Sequence, residues 1–325
     1  MRRLLSRRKN EAPNSPFPDD PTSRGSLWAG IKDDAEAALL EYVGTTMFLL
    51  LAYGGVQAAA TEAGVSTTNS VVERSVTVAL AFGISLLVTV WLFYRVTGGL
   101  FNPDVSLALL IAGVIGPVRF VFYCIAQLVG GITAAAIVYA LTPGPLASNT
   151  FPGPGVNKAQ AVFIEMFITS ALVLAVLMLA VEKHNSTPFA PIGIGLTVFV
   201  CHLWAVIFSG CGMNTARSFG PAVVTGFPYD TQWIYWLGPF LGSLLGSAFY
   251  KAMRMMKYWK LNPGQDCIDE ESSRRMSVTR STRTSRSRHN PMGDTASYSF
   301  PESQAPIHDP VGSAGVPPDR NDCRV

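Results

Sequence analysis

Apolar residues run along the middle of this chain in blocks too long for the core of an ordinary domain. A helix needs roughly 20 predominantly apolar residues to cross the hydrocarbon of a bilayer. Six runs meet that length, at about 37–60, 75–96, 118–141, 159–181, 189–209 and 232–254. Glycine and alanine are frequent in them, which lets membrane helices approach closely. Two shorter apolar pieces, one after Asn102 and one after Asn214, are about ten residues each and too short to span. They read as re-entrant half-helices. The stretch CHLWAVIFSGCGMNTARSFGPA, Cys201 to Ala222, is then the end of a span, a tight turn over 209–213, and a half-helix beginning at Asn214.

Charge sharpens this picture. Only 14% of the 325 residues are charged, against about 25% in a typical soluble domain. The mean hydropathy is +0.28. The charges are segregated: Arg2, Arg3, Arg7, Arg8 and Lys9 at one end, and Lys251, Arg254, Lys257, Lys260 and a run from Arg274 to Arg288 at the other. This is a multi-pass membrane protein with two polar tails, over 1–36 and 257–325, whose composition predicts extensive disorder. The membrane domain is expected over 37–256. Six spans put both basic tails on one side, which the positive-inside rule makes cytoplasmic, in the plasma membrane or an internal membrane. The first 30 residues lack an apolar core, so no signal peptide is expected. The five cysteines show neither metal-like spacing nor a disulfide framework, and the net charge of +3 gives no case for nucleic acid. No set of ionisable groups suggests a nucleophile, a base and an acid, so no enzyme chemistry, cofactor or metal is expected.

The membrane domain repeats internally. Gly83 lies 19 positions before Asn102 and Gly195 lies 19 before Asn214, while Gly130 and Gly242 each follow their asparagine by 28. Glu41 in the first span pairs with Glu165 in the fourth. Units of three spans, at about 37–141 and 159–256, have opposite orientations, and inverted repeats with broken helices place the working site at the midplane. There the half-helix N-termini would meet, each with partial positive charge and free backbone N–H groups. Asn102 and Asn214 are N-cap residues with amides able to donate into a pore. Water can pass such a path by exchanging hydrogen bonds, while a cation meets a positive centre without rehydration. Glu41 and Glu165 are expected to accept from loop N–H groups rather than to carry protons.

On these residues the chain resembles the aquaporin (major intrinsic protein) family over about 37–254. Asn102-Pro103-Asp104 and Asn214-Thr215-Ala216 match the family's two Asn-Pro-Ala boxes, and Arg217-Ser218-Phe219-Gly220-Pro221-Ala222 matches the family's pattern directly after the second box. The resemblance implies an all-α membrane fold of six transmembrane helices plus two half-helices, assembled as a homotetramer. It also implies an aromatic/arginine constriction built from Phe82, His202, Cys211 and Arg217. His202, Ser218, Ala222 and Tyr235-Trp236 align with water-selective rather than glycerol-conducting members. The implied function is a passive channel conducting water in single file and excluding ions and protons. The alternatives are a facilitator of small neutral solutes such as glycerol or hydrogen peroxide, and a slow or closed homologue that organises membranes.

Two positions depart from the boxes: Asp104 replaces Ala and Thr215 replaces Pro. An Asp104 facing the lumen would weaken the positive centre, whereas one facing threonine or backbone beside the pore would not. In the C-terminal tail Ser277 follows Arg274 and Arg275, a pattern suited to a basophilic kinase. Unphosphorylated, that basic run can lie on anionic membrane lipid, and phosphate would release it.

Overall fold

A computed structural model describes residues 27–65, 70–184 and 186–261, and Ser277 lies outside them. Among the described residues every regular element is helical. The long helices are α1 (Leu27–Val65), α2 (Val71–Phe93), α4 (Pro117–Leu141), α5 (Lys158–Val176), α6 (Ala190–Ser209) and α8 (Ile234–Met255). Two ten-residue helices, α3 (Pro103–Ala112) and α7 (Thr215–Val224), sit between them. Five of the long helices are apolar enough to cross a membrane. The sixth, α8, has 22 residues and carries Lys251 and Arg254 near its end. At about 1.5 Å per residue it still matches a hydrocarbon core of about 30 Å.

Local chemistry explains the boundaries. Ser70 caps α2 by accepting from the Glu73 N–H, and Asn157 with Gln160 forms a capping box at the start of α5. Pro117 opens α4 at a position where a missing N–H does no harm. One boundary differs from the expected span: α1 begins at Leu27, not near 37, and so reaches into the stretch read as tail. The charged residues there continue the helix, with Lys32 and Glu36 paired one turn apart at 3.6 Å and Asp34 accepting from Arg119 of α4 at 2.7 Å.

The two halves pack alike. α1 lies on α4 as α5 lies on α8, α1 on α2 as α5 on α6, and α2 crosses α6 between the halves. At that crossing a Cβ on Gly83 would stand 2.6 Å from Phe199 Cβ, and one on Gly195 would stand 2.5 Å from Leu87 Cβ. Glycine is what allows the approach. The half-helix α3 packs on α8 and α4, and α7 packs on α4 and α8. The surface is apolar, with Leu80, Ile84, Trp91, Ile125, Phe163, Phe167, Trp204 and Phe249 all exposed. The interior holds Glu41, Asn102, Gln127, Glu165, His202, Asn214 and Arg217, all buried. Lipid or another protein surface must cover the outside, and the polar groups inside must satisfy one another.

Candidate functional site

α3 and α7 begin at nearly identical caps. Asn102 has φ −154° and ψ 117°, and Asn214 has φ −156° and ψ 114°. Asn102 Oδ1 accepts from the N–H groups of Asp104 and Val105, and Asn214 Oδ1 from those of Ala216 and Arg217. Each amide nitrogen then reaches across to the other half. Asn102 Nδ2 donates to Met213 O and Asn214 Nδ2 donates to Phe101 O, both at 2.8 Å. These crossed bonds tie the two N-termini head to head. One amide proton of each asparagine is used in this way, and a carboxamide nitrogen carries two.

The loops entering the half-helices are strained in matching places. Phe101 and Met213, each directly before its asparagine, both have φ of 51°, as does Cys211. Such left-handed conformations cost about 1–3 kcal/mol each in non-glycine residues and persist only when their surroundings hold them. Two buried carboxylates do the holding. Glu41 Oε1 accepts from Phe101 N at 2.5 Å, and its Oε2 accepts from Thr97 Oγ1 at 2.5 Å. Gln127 Nε2 adds a third bond to Glu41 at 2.9 Å. Glu165 accepts from Gly212 N at 2.9 Å, Met213 N at 2.8 Å and Ser209 Oγ at 2.6 Å. Tyr123 donates to Thr97 O and Tyr235 to Ser209 O, completing the second layer of each loop. The carboxylates thus serve as acceptors for fixed loop donors.

A narrow lumen of 40 Å³ runs past these caps. A water needs about 10–15 Å³ on this measure, so the space suits a short file of waters. Its polar lining comes from Asn102, Asn214, His202, Arg217 and the loop backbone at Gly98, Gly99, Leu100, Gly212 and Met213. Its apolar lining includes Phe48, Phe82, Leu86, Leu172, Val176, Ile194 and Val198. At one level Phe82 and His202 stack with ring centroids 4.4 Å apart, and Arg217 Cζ lies 4.6 Å from the Phe82 centroid. Arg217 is held by donating to Ser148 O and Gly210 O, while Tyr53 donates to the Arg217 carbonyl. His202 Nδ1 bonds to Val198 O at 2.9 Å. His202 Nε2 and Arg217 Nε are buried without a protein partner.

The family model for the major intrinsic proteins matches residues 31–250. The chain belongs to the major intrinsic protein family. Among its relatives, Aquaporin-1 of Laccaria bicolor is 54% identical over 250 residues, covering 76% of this chain and 80% of that protein. Aquaporin-7 of Botryotinia fuckeliana is 48% identical over 235 residues, 71% of this chain and 52% of that one. The X-ray structure of the aquaglyceroporin from Plasmodium falciparum superposes with a TM-score of 0.56 at 18% identity, over 67% of this chain and 94% of that chain. This major intrinsic protein is therefore a multi-pass membrane channel with the aquaporin fold.

Within this family's pattern, the box and constriction residues singled out from the sequence fall into four places. Asn102, Asn214, Phe82, His202 and Arg217 border the lumen. Cys211 is fully buried in the loop before α7, and its N–H bonds to Ser209 Oγ. Pro103, Asp104 and Thr215 border a separate groove between α3, α4, α7 and α8, away from the lumen. Ala216 is packed under α4, where a Cβ on Gly131 would come 2.5 Å from its carbonyl oxygen. The sequence reading missed Thr97, Ser209, Tyr53 and Tyr123. Three of these carry the offset of 112 that relates the asparagines: Thr97 matches Ser209, and Tyr123 matches Tyr235. Applying the offset to every polar residue in the spans would have found them.

Proposed function

We propose that the chain is a passive water channel. The observation that carries this reading is the convergence of Phe82, His202 and Arg217 on a lumen of 40 Å³. Two rings in contact leave little width for a carbon backbone. His202 Nε2 and Arg217 Nε offer bonding groups that a water can meet one at a time. The backbone of Gly98, Gly99, Leu100, Gly212 and Met213 and the caps Asn102 and Asn214 supply polar partners in a lumen otherwise lined by apolar side chains. A water exchanges one partner for the next. A cation meets the positive ends of α3 and α7 and the Arg217 guanidinium, in a space too narrow and too apolar to replace its hydration shell.

Both termini are placed in the cytoplasm by their basic residues, with lipid against the apolar surface and a homotetramer as the assembly. A kinase acting at Ser277 is the matching proposal for the tail. Stopped-flow light scattering on proteoliposomes tests the channel reading. Under an impermeant osmolyte the vesicles are expected to shrink much faster than protein-free ones, and in a glycerol gradient they are expected not to reswell faster than those controls. Glycerol-driven reswelling would make the chain a facilitator of small neutral solutes. Shrinkage no faster than bare lipid, with folded protein present, would make it a closed homologue.

A further inference from the structure

Asp104 and Thr215 are the two departures from the family's boxes, and the fold brings them together. Asp104 Oδ2 accepts from the Thr215 N–H at 2.9 Å and from Thr215 Oγ1 at 2.9 Å. The same hydroxyl lies 3.1 Å from Tyr235 O. Both residues are buried, and both face the groove rather than the lumen.

Hydrogen-bond accounting explains why they occur as a pair. The first N–H groups of a helix have no partner inside it. The caps of α3 and α7 superpose in φ and ψ, so Pro103 and Thr215 hold equivalent first positions. Pro103 has no N–H to satisfy. Thr215 does, and Asn214 Oδ1 is already taken by Ala216 and Arg217. A buried amide left unpaired there would be unfavourable. The acceptor that meets it comes from the other half of the molecule. Conversely, Asp104 is buried beside Phe120, Leu128, Trp236, Leu237 and Phe240 and needs donors. Thr215 supplies two. Ala216, the equivalent of Asp104, faces no such demand, because the residue opposite it is a proline.

We propose that Asp104 and Thr215 act as one positioning device, a clasp that fastens the N-terminus of α3 to that of α7 on the side away from the lumen, each residue being tolerated because of the other. The crossed bonds of Asn102 and Asn214 tie the same N-termini together through the loop carbonyls before each helix. The clasp adds a second tie and keeps the two asparagine amides from swinging out of the path. The proposal rests on the water-channel reading for its transport readout and on the fold alone for its stability readout.

The test is a double-mutant cycle on the full chain in proteoliposomes and in detergent: wild type, Asp104→Ala, Thr215→Pro and Asp104→Ala/Thr215→Pro. Proline fits at 215, since Asn214 is already extended and Pro103 occupies the equivalent site. Each single change orphans one partner. Asp104→Ala and Thr215→Pro are each expected to lower the thermal midpoint and to reduce water flux per folded channel several-fold. The double variant, which turns both boxes into Asn-Pro-Ala, is expected to regain both, and Thr215→Ser is expected to match wild type. A double variant no better than the worse single in yield, midpoint and flux overturns the clasp, as does an Asp104→Ala that changes nothing. If wild type itself conducts no water, the channel reading fails, and the coupling is still read from the midpoints.

Discussion

Replacing Glu165 with leucine is expected to leave almost no folded protein. The change removes the acceptor from Ser209 Oγ, Gly212 N and Met213 N at once. Each buried donor left unpaired costs about 1–3 kcal/mol, and three together consume a large part of a typical folding stability of about 5–15 kcal/mol. The same bonds hold Cys211 and Met213 at φ of 51°, so the loop also gains a reason to relax. Glutamine at 165 is expected to fall between. Its oxygen can replace Oε1, which serves Ser209 and Gly212, while its amino group would then face the Met213 N–H, donor against donor. Glu41→Leu is expected to repeat the result in the other half, by stripping Thr97, Phe101 and Gln127. Thermal unfolding in detergent checks the order wild type, glutamine, leucine. A leucine variant with the wild-type midpoint would show that the carboxylates do not hold the loops.

Opening the ring of side chains is expected to change what passes rather than whether the chain folds. Phe82 and His202 stack on each other, and Arg217 packs over Phe82. Truncating both rings, as Phe82→Ala/His202→Ala, replaces a narrow slot by a wider space and leaves Arg217 anchored to Ser148 and Gly210. Glycerol permeability is expected to rise about tenfold, the lower end of what a change of size in an apolar site yields. Water flux is expected to persist. Reswelling of proteoliposomes in a glycerol gradient reads the effect. Unchanged glycerol exclusion in folded double variant would place the narrowest point elsewhere in the lumen.

The architecture is legible in the sequence because the physics behind it is coarse. A span announces itself by length without charge, and a half-helix by an apolar run too short to cross behind an asparagine cap. The matched offsets around Asn102 and Asn214 give the repeat, since identical packing demands, such as glycine at the Gly83 and Gly195 crossing, recur at identical distances. The start of α1 was harder to read. Lys32, Asp33, Asp34 and Glu36 look like tail, and only the partners Glu36 and Arg119 reveal a helix that continues past the apolar run. The loop supports were harder still. Thr97, Ser209, Tyr53 and Tyr123 are single polar residues in apolar surroundings, and their partners are distant in sequence: Tyr53 bonds to Arg217, 164 positions on. No hydrophobic periodicity marks such residues, and only the 112-residue offset of the repeat links Thr97 to Ser209 and Tyr123 to Tyr235. The orientation of Asp104 also lay beyond sequence reasoning. The choice between lumen and protein depended on whether Thr215, in the other half of the chain, came close enough to donate.

On the proposed reading, two half-helices joined head to head let water file past their electropositive tips and turn charge away. Proteoliposomes loaded with a pH-sensitive dye report water passage and charge exclusion in one preparation. Osmotic shrinkage measures water, and dye response to an imposed pH step under an ionophore-clamped potential measures protons. Rapid shrinkage is expected, with a proton leak no greater than that of protein-free vesicles. Fast proton entry tracking the water flux, in vesicles of unchanged integrity, would overturn charge exclusion by the half-helix tips.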